Sequence, residues 1–339
     1  MIDAMISGLS GLIVGFQYLV VDWRNLIMIF VGLGLLYLAI KKDCEPLLLV
    51  PIGFGCIIVN IPFSNIMGAE GFVKVIYDAG IATELFPLLI FIGIGAMTDF
   101  GPVLARPSTF LLGAAGQCGI FLTLLLALAL GFPKLHAVSI GIIGACDGPT
   151  AIYVTSKYAP ELLGAVAVAA YCYMSLVPIV QPPIMRLMTT ERERMVVMTS
   201  QAKPVSRTTK LLFPLVITIL GGLIAPMGLP LLATIMLGNL MRESGVVARL
   251  TRASENEIAN VVTLFLGLCI GATMSGPAFI KPQTLIILGL GFVAICLDTV
   301  CGILFGKFLY LVSGGKVNPL IGSAGISAFP MAARVVQKE

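Results

Sequence analysis

The sequence predicts an all-α polytopic membrane protein built from two inverted repeats, each with a broken or re-entrant helical segment that meets the other near the bilayer midplane. Three observations predict it. The 339 residues are 58% hydrophobic and 11% charged, with a mean hydropathy of +1.04, whereas a soluble domain carries about 25% charged residues. Apolar runs of roughly 15 to 25 residues recur along the chain, the length an α-helix needs to cross about 30 Å of hydrocarbon. No ten-residue alternation suggests a barrel. Finally, "GAMTDFGPVLARPSTFLLG" (95–113) and "GATMSGPAFIKPQTLIILG" (271–289) share Gly-Ala, Gly-Pro, a basic residue, Pro and Thr in the same order, about 175 residues apart with a one-residue gap.

The elements follow in order. Residues 1–24 contain Asp3 and Asp22 and no basic n-region, so they read as an interfacial leader rather than a signal peptide. Hydrophobic elements are predicted near 25–40, 47–62, 81–98, 108–131, 136–156 and 161–185, which form a first membrane repeat over 25–185. The polar stretch "RLMTTERERMVVMTSQAKPVSRTTK" is a cytoplasmic linker, 186–210. Elements near 210–226, 229–241, 258–275, 284–306 and 317–333 form the second repeat, 211–339.

Charge placement selects the topology. If 136–156 and 317–333 each enter and return to one side, then Lys41, Lys42, Arg106, the linker cations, Arg242, Arg249, Arg252, Lys307, Lys316, Arg334 and Lys338 share one face. The opposite face receives Arg24, Lys74, Lys134, Lys157 and Lys281. A full crossing by 136–156 would put the linker outside, against the positive-inside rule.

The chemistry must come from polar groups inside the membrane. The eight cysteines form no CxxC pair and, with the single His136, no metal-ligand spacing. No phosphate loop or nucleic-acid surface is present. The stretch "GACDGPTA" (144–151) places Asp147 in an apolar setting, where a carboxylate costs roughly 2.5–3.5 kcal/mol on insertion scales. Gly148 and Pro149 interrupt the helix directly after it, freeing carbonyls as hard-oxygen ligands for Na⁺, and Thr150 adds a hydroxyl. A buried carboxyl favours the neutral acid and a neighbouring cation favours the carboxylate, so such a site holds a proton or a cation, seldom both. The alternative is an Asp that only caps the half-helix beginning at Pro149.

The repeat offset carries "GACDGPTA" onto "PLIGSAGI" (319–326), a second interrupted segment. Paired interrupted segments of this kind point to a transporter's binding site. Asn318, Gly322, Ser323, Gly325 and Ser327 offer ligands there, or small residues for close helix packing. Tyr173 and Arg334 read as a site hydroxyl and a site cation, or as interfacial anchors. Asp298 in "AICLDTVCG" is a weaker candidate without a backbone break, while Glu84 and Asp99 are span-end residues.

The motifs "EPLLLVPIGFG", "GAMTDFGP", "GIIGACDGPTAIY", "PELLGAVAVAAYCYMSLVPIVQPPIM", "GNLMRESGVVARL" and "NPLIGSAGISAFPMAARV" together resemble the β subunit of the biotin-dependent, sodium-translocating decarboxylases, over nearly the whole chain. That family acts on oxaloacetate, methylmalonyl-CoA, glutaconyl-CoA or malonate. The resemblance implies a membrane subunit that decarboxylates carboxybiotin while exporting Na⁺ with proton uptake. It implies Na⁺ as the coupling ion and biotin carried by a partner, not attached here. Carboxyltransferase and biotin carrier subunits, a small membrane subunit, further copies of the β subunit and membrane lipid are the implied partners, with no nucleic acid. It assigns Asp147, Tyr173 and Arg334 catalytic roles, and Asp147, Asn318, Gly322 and Ser327 to sodium. Two departures stand out. Cys146 replaces a small non-thiol residue, and the chain stops at "ARVVQKE" where family members continue into one more hydrophobic segment. The rival reading is a secondary Na⁺ transporter or Na⁺/H⁺ antiporter with no enzymatic role.

Overall fold

The structure, a computed structural model, describes residues 15, 18–19, 21–42, 45–107, 110–198, 205–325 and 331–339. Most of the expected leader therefore lies outside the described residues. The first half contains α1 (Trp23–Lys42), α2 (Pro46–Val59), α3 (Phe72–Gly80), α4 (Leu85–Met97), α5 (Gly101–Ala105), α6 (Phe110–Gly116) and α7 (Cys118–Ala129). It continues with α8 (Lys134–Gly141), a 3-10 turn (Ile142–Ala145), α9 (Gly148–Tyr158) and α10 (Leu163–Met188). The linker holds α11 (Glu191–Arg194). The second half contains α12 (Arg207–Ile224), α13 (Leu229–Ser244), α14 (Ala248–Ala253), a π turn (Ser254–Ile258) and α15 (Ala259–Ala272). Last come α16 (Gly276–Phe279), α17 (Pro282–Val312), α18 (Ile321–Ala324) and α19 (Met331–Lys338).

Among the described residues five helices are long and apolar enough to cross a membrane, or seven if each of two pairs bent by 61° counts as one span. One bend separates α3 from α4, and the other lies within α10 between Tyr171 and Leu176. Pro178, Pro182 and Pro183 follow that bend. Each removes a backbone donor and frees the carbonyl one turn earlier, so the helix cannot run straight. Outward-facing apolar side chains such as Phe30, Leu125, Leu223 and Phe308 remain exposed. A bilayer, not water, is the solvent that suits them.

Two corrections concern element boundaries. The element expected at 258–275 begins ten residues earlier, because the π turn joins α14 to α15, so Arg249 and Arg252 sit on a helix rather than in a loop. The element expected at 284–306 extends to Val312.

The halves repeat one another in detail. Both α4 and α15 end in a non-helical break, then a short helix with Pro in its first turn, then a long apolar span, the single helix α17 in the second half and the pair α6 and α7 in the first. Helix α2 packs on α15 as α13 packs on α4, and glycines sit at both crossings. A Cβ on Gly55 would fall 2.3 Å from the Leu268 carbonyl oxygen, and one on Gly271 2.1 Å from that of Ile52. At the other crossing the same test brings Gly238 to 2.0 Å from the Ile92 oxygen and Gly95 to 2.0 Å from that of Ile235. Small residues of this kind let helix backbones touch where no hydrophobic force drives association. Each break is held by an asparagine from the partner half. Asn60 donates to the Met274 carbonyl (2.9 Å) and accepts from the Gly276 N–H (2.7 Å), while Asn239 donates to the Thr98 carbonyl (3.0 Å).

The equivalent helices run in opposite directions. Helix α4 ends beside Arg242, which donates to the Met97 carbonyl, and beside Lys210, 3.5 Å from Asp99. The π turn that precedes α15 lies against Gly93, near that same end of α4, and α15 finishes at Asn60 on the far side. The repeat is inverted.

Both interrupted segments are re-entrant. His136 at the start of α8 pairs with Glu161 beyond α9 (2.5 Å), so the segment leaves by the face it entered. At the opposite face Asn318 donates to the Arg194 and Val196 carbonyls (2.8 and 3.1 Å), and Glu339 pairs with Arg186 (2.7 Å). The two segments meet where Cys146, Val177, Ile295 and Ala332 form one buried cluster.

Candidate functional site

The break in the first re-entrant segment is built residue by residue. The 3-10 turn ends at Cys146, which is fully buried and left-handed (φ 52°, ψ 33°), an uncommon conformation for a residue with a Cβ. Asp147 is then extended (φ −126°, ψ 107°), and α9 starts at Gly148–Pro149. Asp147 thus occupies the N-cap position, where its carboxylate faces the Thr150 backbone N–H in the first turn of α9 and accepts that residue's hydroxyl hydrogen. Its carbonyl accepts the Ala151 N–H (3.0 Å), which anchors the first turn of α9.

The residue behind this break is Tyr171. A Cβ at Gly148 would fall 2.1 Å from the Tyr171 ring, which is itself 1% exposed, so only glycine lets α9 begin there. Tyr173, two residues on, packs against the buried cluster that contains Cys146. Its hydroxyl donates to the Leu288 carbonyl and its ring lies against Gly291 and Phe292, on α17. The structure therefore packs Tyr171 beside the Asp147 segment, and turns the Tyr173 hydroxyl toward α17.

The second segment is only partly drawn to the first. Asn318 is engaged at the basic face, with its amide on the linker carbonyls and its oxygen on the Leu320 N–H (3.0 Å). Gly322 packs against Gly302 so closely that a Cβ would fall 1.7 Å from the Gly302 carbonyl oxygen. Ser327 lies outside the described residues. Ser323 is fully buried and donates to the Leu320 carbonyl (2.8 Å). Arg334 on α19 is exposed. Its charge acts on Glu45, whose carboxyl is lifted above its ordinary value by burial and drawn partly back by the Arg334 guanidinium.

Three polar residues gain weight from the structure. Gln181 is fully buried in α10, donates to the Ser323 carbonyl (3.0 Å), and its Oε1 has no partner among the described residues. Its signal in the sequence was a lone amide between Pro178 and Pro182 in an apolar run. Glu45 immediately precedes α2 in a left-handed conformation (φ 38°). Asp298 is fully buried at the centre of α17.

Among the described residues no three His, Cys, Asp or Glu side chains cluster as a metal site. A cation at Asp147 would be held by one carboxylate with neutral oxygens, a donor set that suits a hard ion. On the face opposite the linker, a cleft between α10, α16 and α17 is lined by Leu163, Gly164, Thr273, Lys281, Gln283 and Thr284.

Comparison with known proteins agrees with this architecture. The profile of the Na⁺-transporting oxaloacetate decarboxylase β subunit matches residues 24–339. The chain is 52% identical to the methylmalonyl-CoA decarboxylase subunit β of Veillonella parvula over 335 residues, covering 99% of this chain and 89% of that one. It is 50% identical to the glutaconyl-CoA decarboxylase subunit β of Acidaminococcus fermentans, with the same coverage. It is 44% identical to the oxaloacetate decarboxylase β chain of Klebsiella pneumoniae, covering 98% and 90%. A multi-pass helical chain with inverted, interrupted repeats, matched along nearly its whole length by these relatives, belongs to the β subunit family of the Na⁺-transporting decarboxylases.

Proposed function

We propose that this chain decarboxylates carboxybiotin presented by a partner subunit and couples that step to Na⁺ export through exchange of Na⁺ and H⁺ at Asp147. The observation that carries the proposal is the position of Asp147, on unwound backbone at the level where two re-entrant segments converge. Decarboxylation converts the N-carboxylate of biotin and one proton into an N–H and CO₂. Asp147 links the two halves of the cycle because Na⁺ and H⁺ compete for one carboxylate. Thr150 and the carbonyls freed around Gly148 complete the first cation shell, and Asn318, Gly322 and Ser327 on the second segment close it when that segment moves inward. Arg334, exposed on the basic face, receives the carboxylate of carboxybiotin. Tyr173 supplies a hydroxyl relay once released from Leu288. Na⁺ leaves through the cleft beside Lys281. Carboxyltransferase, biotin carrier and small membrane subunits, together with further copies of this chain, complete the machine. Residues 1–24 lie at the interface, and 186–210 is the cytoplasmic linker between repeats 25–185 and 211–339. Family membership favours this reading over a secondary Na⁺ transporter without enzymatic role.

The test is the complex reconstituted in vesicles. Asp147→Asn keeps the side chain's size and one oxygen but cannot exchange a proton. Decarboxylation of free carboxybiotin and Na⁺ uptake should fall together, and added Na⁺ should not restore them. Transport with unchanged Na⁺ and pH dependence would reduce Asp147 to a helix cap.

A further inference from the structure

Helix α17 carries a second intramembrane carboxyl that the exchange at Asp147 leaves unused. Asp298 is fully buried, about 24 Å along a helix about 46 Å long, which places it at mid-membrane. Its Oδ1 accepts the Gly119 N–H at 3.2 Å, a donor freed by the interruption between α6 and α7. Its Oδ2 is buried and has no partner among the described residues. None of the salt bridges among those residues involves it.

The packing leads from this carboxyl to the first re-entrant segment. A Cβ on Gly119 would fall 2.6 Å from Asp298 Oδ1, so α7 approaches the carboxyl closely only because residue 119 is glycine. On its other side Gly119 touches the 3-10 turn, since a Cβ on Gly144 would fall 2.9 Å from the Gly119 carbonyl carbon. Asp298, Gly119 and the turn that ends at Cys146–Asp147 are successive layers of one contact.

We propose that Asp298 is a proton-carrying carboxyl of this membrane site, held by α7 against the segment that bears Asp147. The ligand is H⁺ rather than Na⁺. A hard cation needs several oxygen donors. Among the described residues the titratable groups around Asp298 are instead thiols: Cys146 from the break, Cys301 on its own helix, and Cys118 from α7 next to Cys301. The elements α10 and α19 contribute apolar Val177 and Ala332 to the cluster around the neighbouring Ile295. An unpaired charge is most costly in such surroundings, and one proton on Oδ2 removes it, converting carboxylate to carboxylic acid with no other bond changed. The decarboxylation consumes one proton per CO₂, and Asp298 holds one while Na⁺ occupies Asp147. This last step rests on the exchange proposed at Asp147; the protonation of Asp298 does not.

The experiment uses the reconstituted complex and dicyclohexylcarbodiimide, an apolar reagent that adds across the O–H of protonated carboxyls, with adducts located by peptide mass spectrometry. Asp298 should be labelled at neutral pH and lose its label in alkali. Labelling should persist in Asp147→Asn, which separates this proposal from the one at Asp147. Asp298→Asn keeps an oxygen for the Gly119 N–H, so the complex should assemble, with turnover down on the order of 10-fold and its alkaline pH dependence lost. A wild-type rate and pH profile in Asp298→Asn would overturn the proposal and leave the side chain as an acceptor for Gly119. Absence of any Asp298 adduct in the wild-type complex, from acid to alkali, would overturn it equally, and decides the matter should the variant fail to assemble.

Discussion

Gly148 does two jobs that no other residue combines. It ends the unwound stretch that presents Asp147, and its bare Cα lets the Tyr171 ring close over the break. Adding one methyl group forces either the ring or α9 to move, because both are packed among fully buried neighbours. Overpacking of this kind costs typically about 1–3 kcal/mol. Gly148→Ala should therefore lower the unfolding temperature of the solubilised protein and reduce Na⁺ transport. Gly148→Ala combined with Tyr171→Leu should recover the stability. A destabilisation untouched by the second change would show that the strain lies elsewhere. At the Na⁺ site proposed above, Ser327→Ala makes a smaller change, removing one hydroxyl ligand. Loss of such a bond is worth about 1.5–3 kcal/mol, or roughly 10- to 150-fold in Na⁺ activation. Na⁺ titration of decarboxylation reads it directly.

The asparagines at the two Gly-Pro breaks show how a repeat stabilises itself. Each break leaves backbone groups without helical partners, inside a membrane where water cannot supply them. Asn60 satisfies a carbonyl and an N–H at the break after α15, whereas Asn239 satisfies one carbonyl at the break after α4. Burying an unpaired amide or carbonyl costs about 1–3 kcal/mol. Asn60→Leu should thus destabilise more than Asn239→Leu, since it orphans two groups instead of one. Thermal unfolding of the two variants in the same detergent tests the order, and equal losses would contradict it. The breaks themselves were legible in the sequence, because Gly-Pro, a basic residue, Pro and Thr recur at one spacing. Their asparagines were not, because a polar residue at the end of an apolar run looks the same whether it faces headgroups or a partner helix. For the same reason Asp147 was legible and Tyr171 was not. A carboxylate inside the bilayer stands out by its cost, but two tyrosines two residues apart differ only in the helix face they occupy.

The whole chain is organised by which face each loop occupies, and the linker is pinned to one of them. In α11 the Glu193 carboxylate accepts the Thr190 N–H (2.7 Å) and lies 3.5 Å from Lys307 at the end of α17. Burial works against that charge, but the bonds from Thr190 and the Lys307 ammonium outweigh it and hold the carboxyl below its ordinary value. A depressed carboxyl contributes stability that is complete above its unfolded value, about 4.3, and is lost as pH falls through the folded one. Hydrogen-exchange protection across 189–198, taken relative to the intrinsic rate at each pH, should fall in acid, and Glu193→Gln should remove that pH dependence while lowering protection at neutral pH. An unaltered pH response in the variant would assign the effect to another group.

The same organisation makes the re-entrant geometry testable without knowledge of the transported ion. His136 and Glu161 bracket α8, the break and α9, and they touch. A segment that crossed the bilayer would separate them by about 30 Å of hydrocarbon. The second segment is bracketed in the same way on the other face, by Asn318 on the linker and by Glu339 on Arg186. Single cysteines at Lys134 and Glu161, in a background without exposed native thiols, should react with a membrane-impermeant maleimide from one side of sealed vesicles. Cysteines at Arg194 and Lys338 should react from the other side only. A linked pair, His136→Cys with Glu161→Cys, should be bridged within one chain by a short bifunctional maleimide, because the tips of the two native side chains meet. Labelling of Lys134→Cys and Glu161→Cys from opposite sides would mean that 134–161 crosses the membrane. The linker and the Arg242 loop would then lie on the face opposite Asp99, although Lys210 already lies 3.5 Å from Asp99. That contact and a full crossing exclude each other, so the labelling pattern decides between an inverted repeat and any other arrangement of these helices.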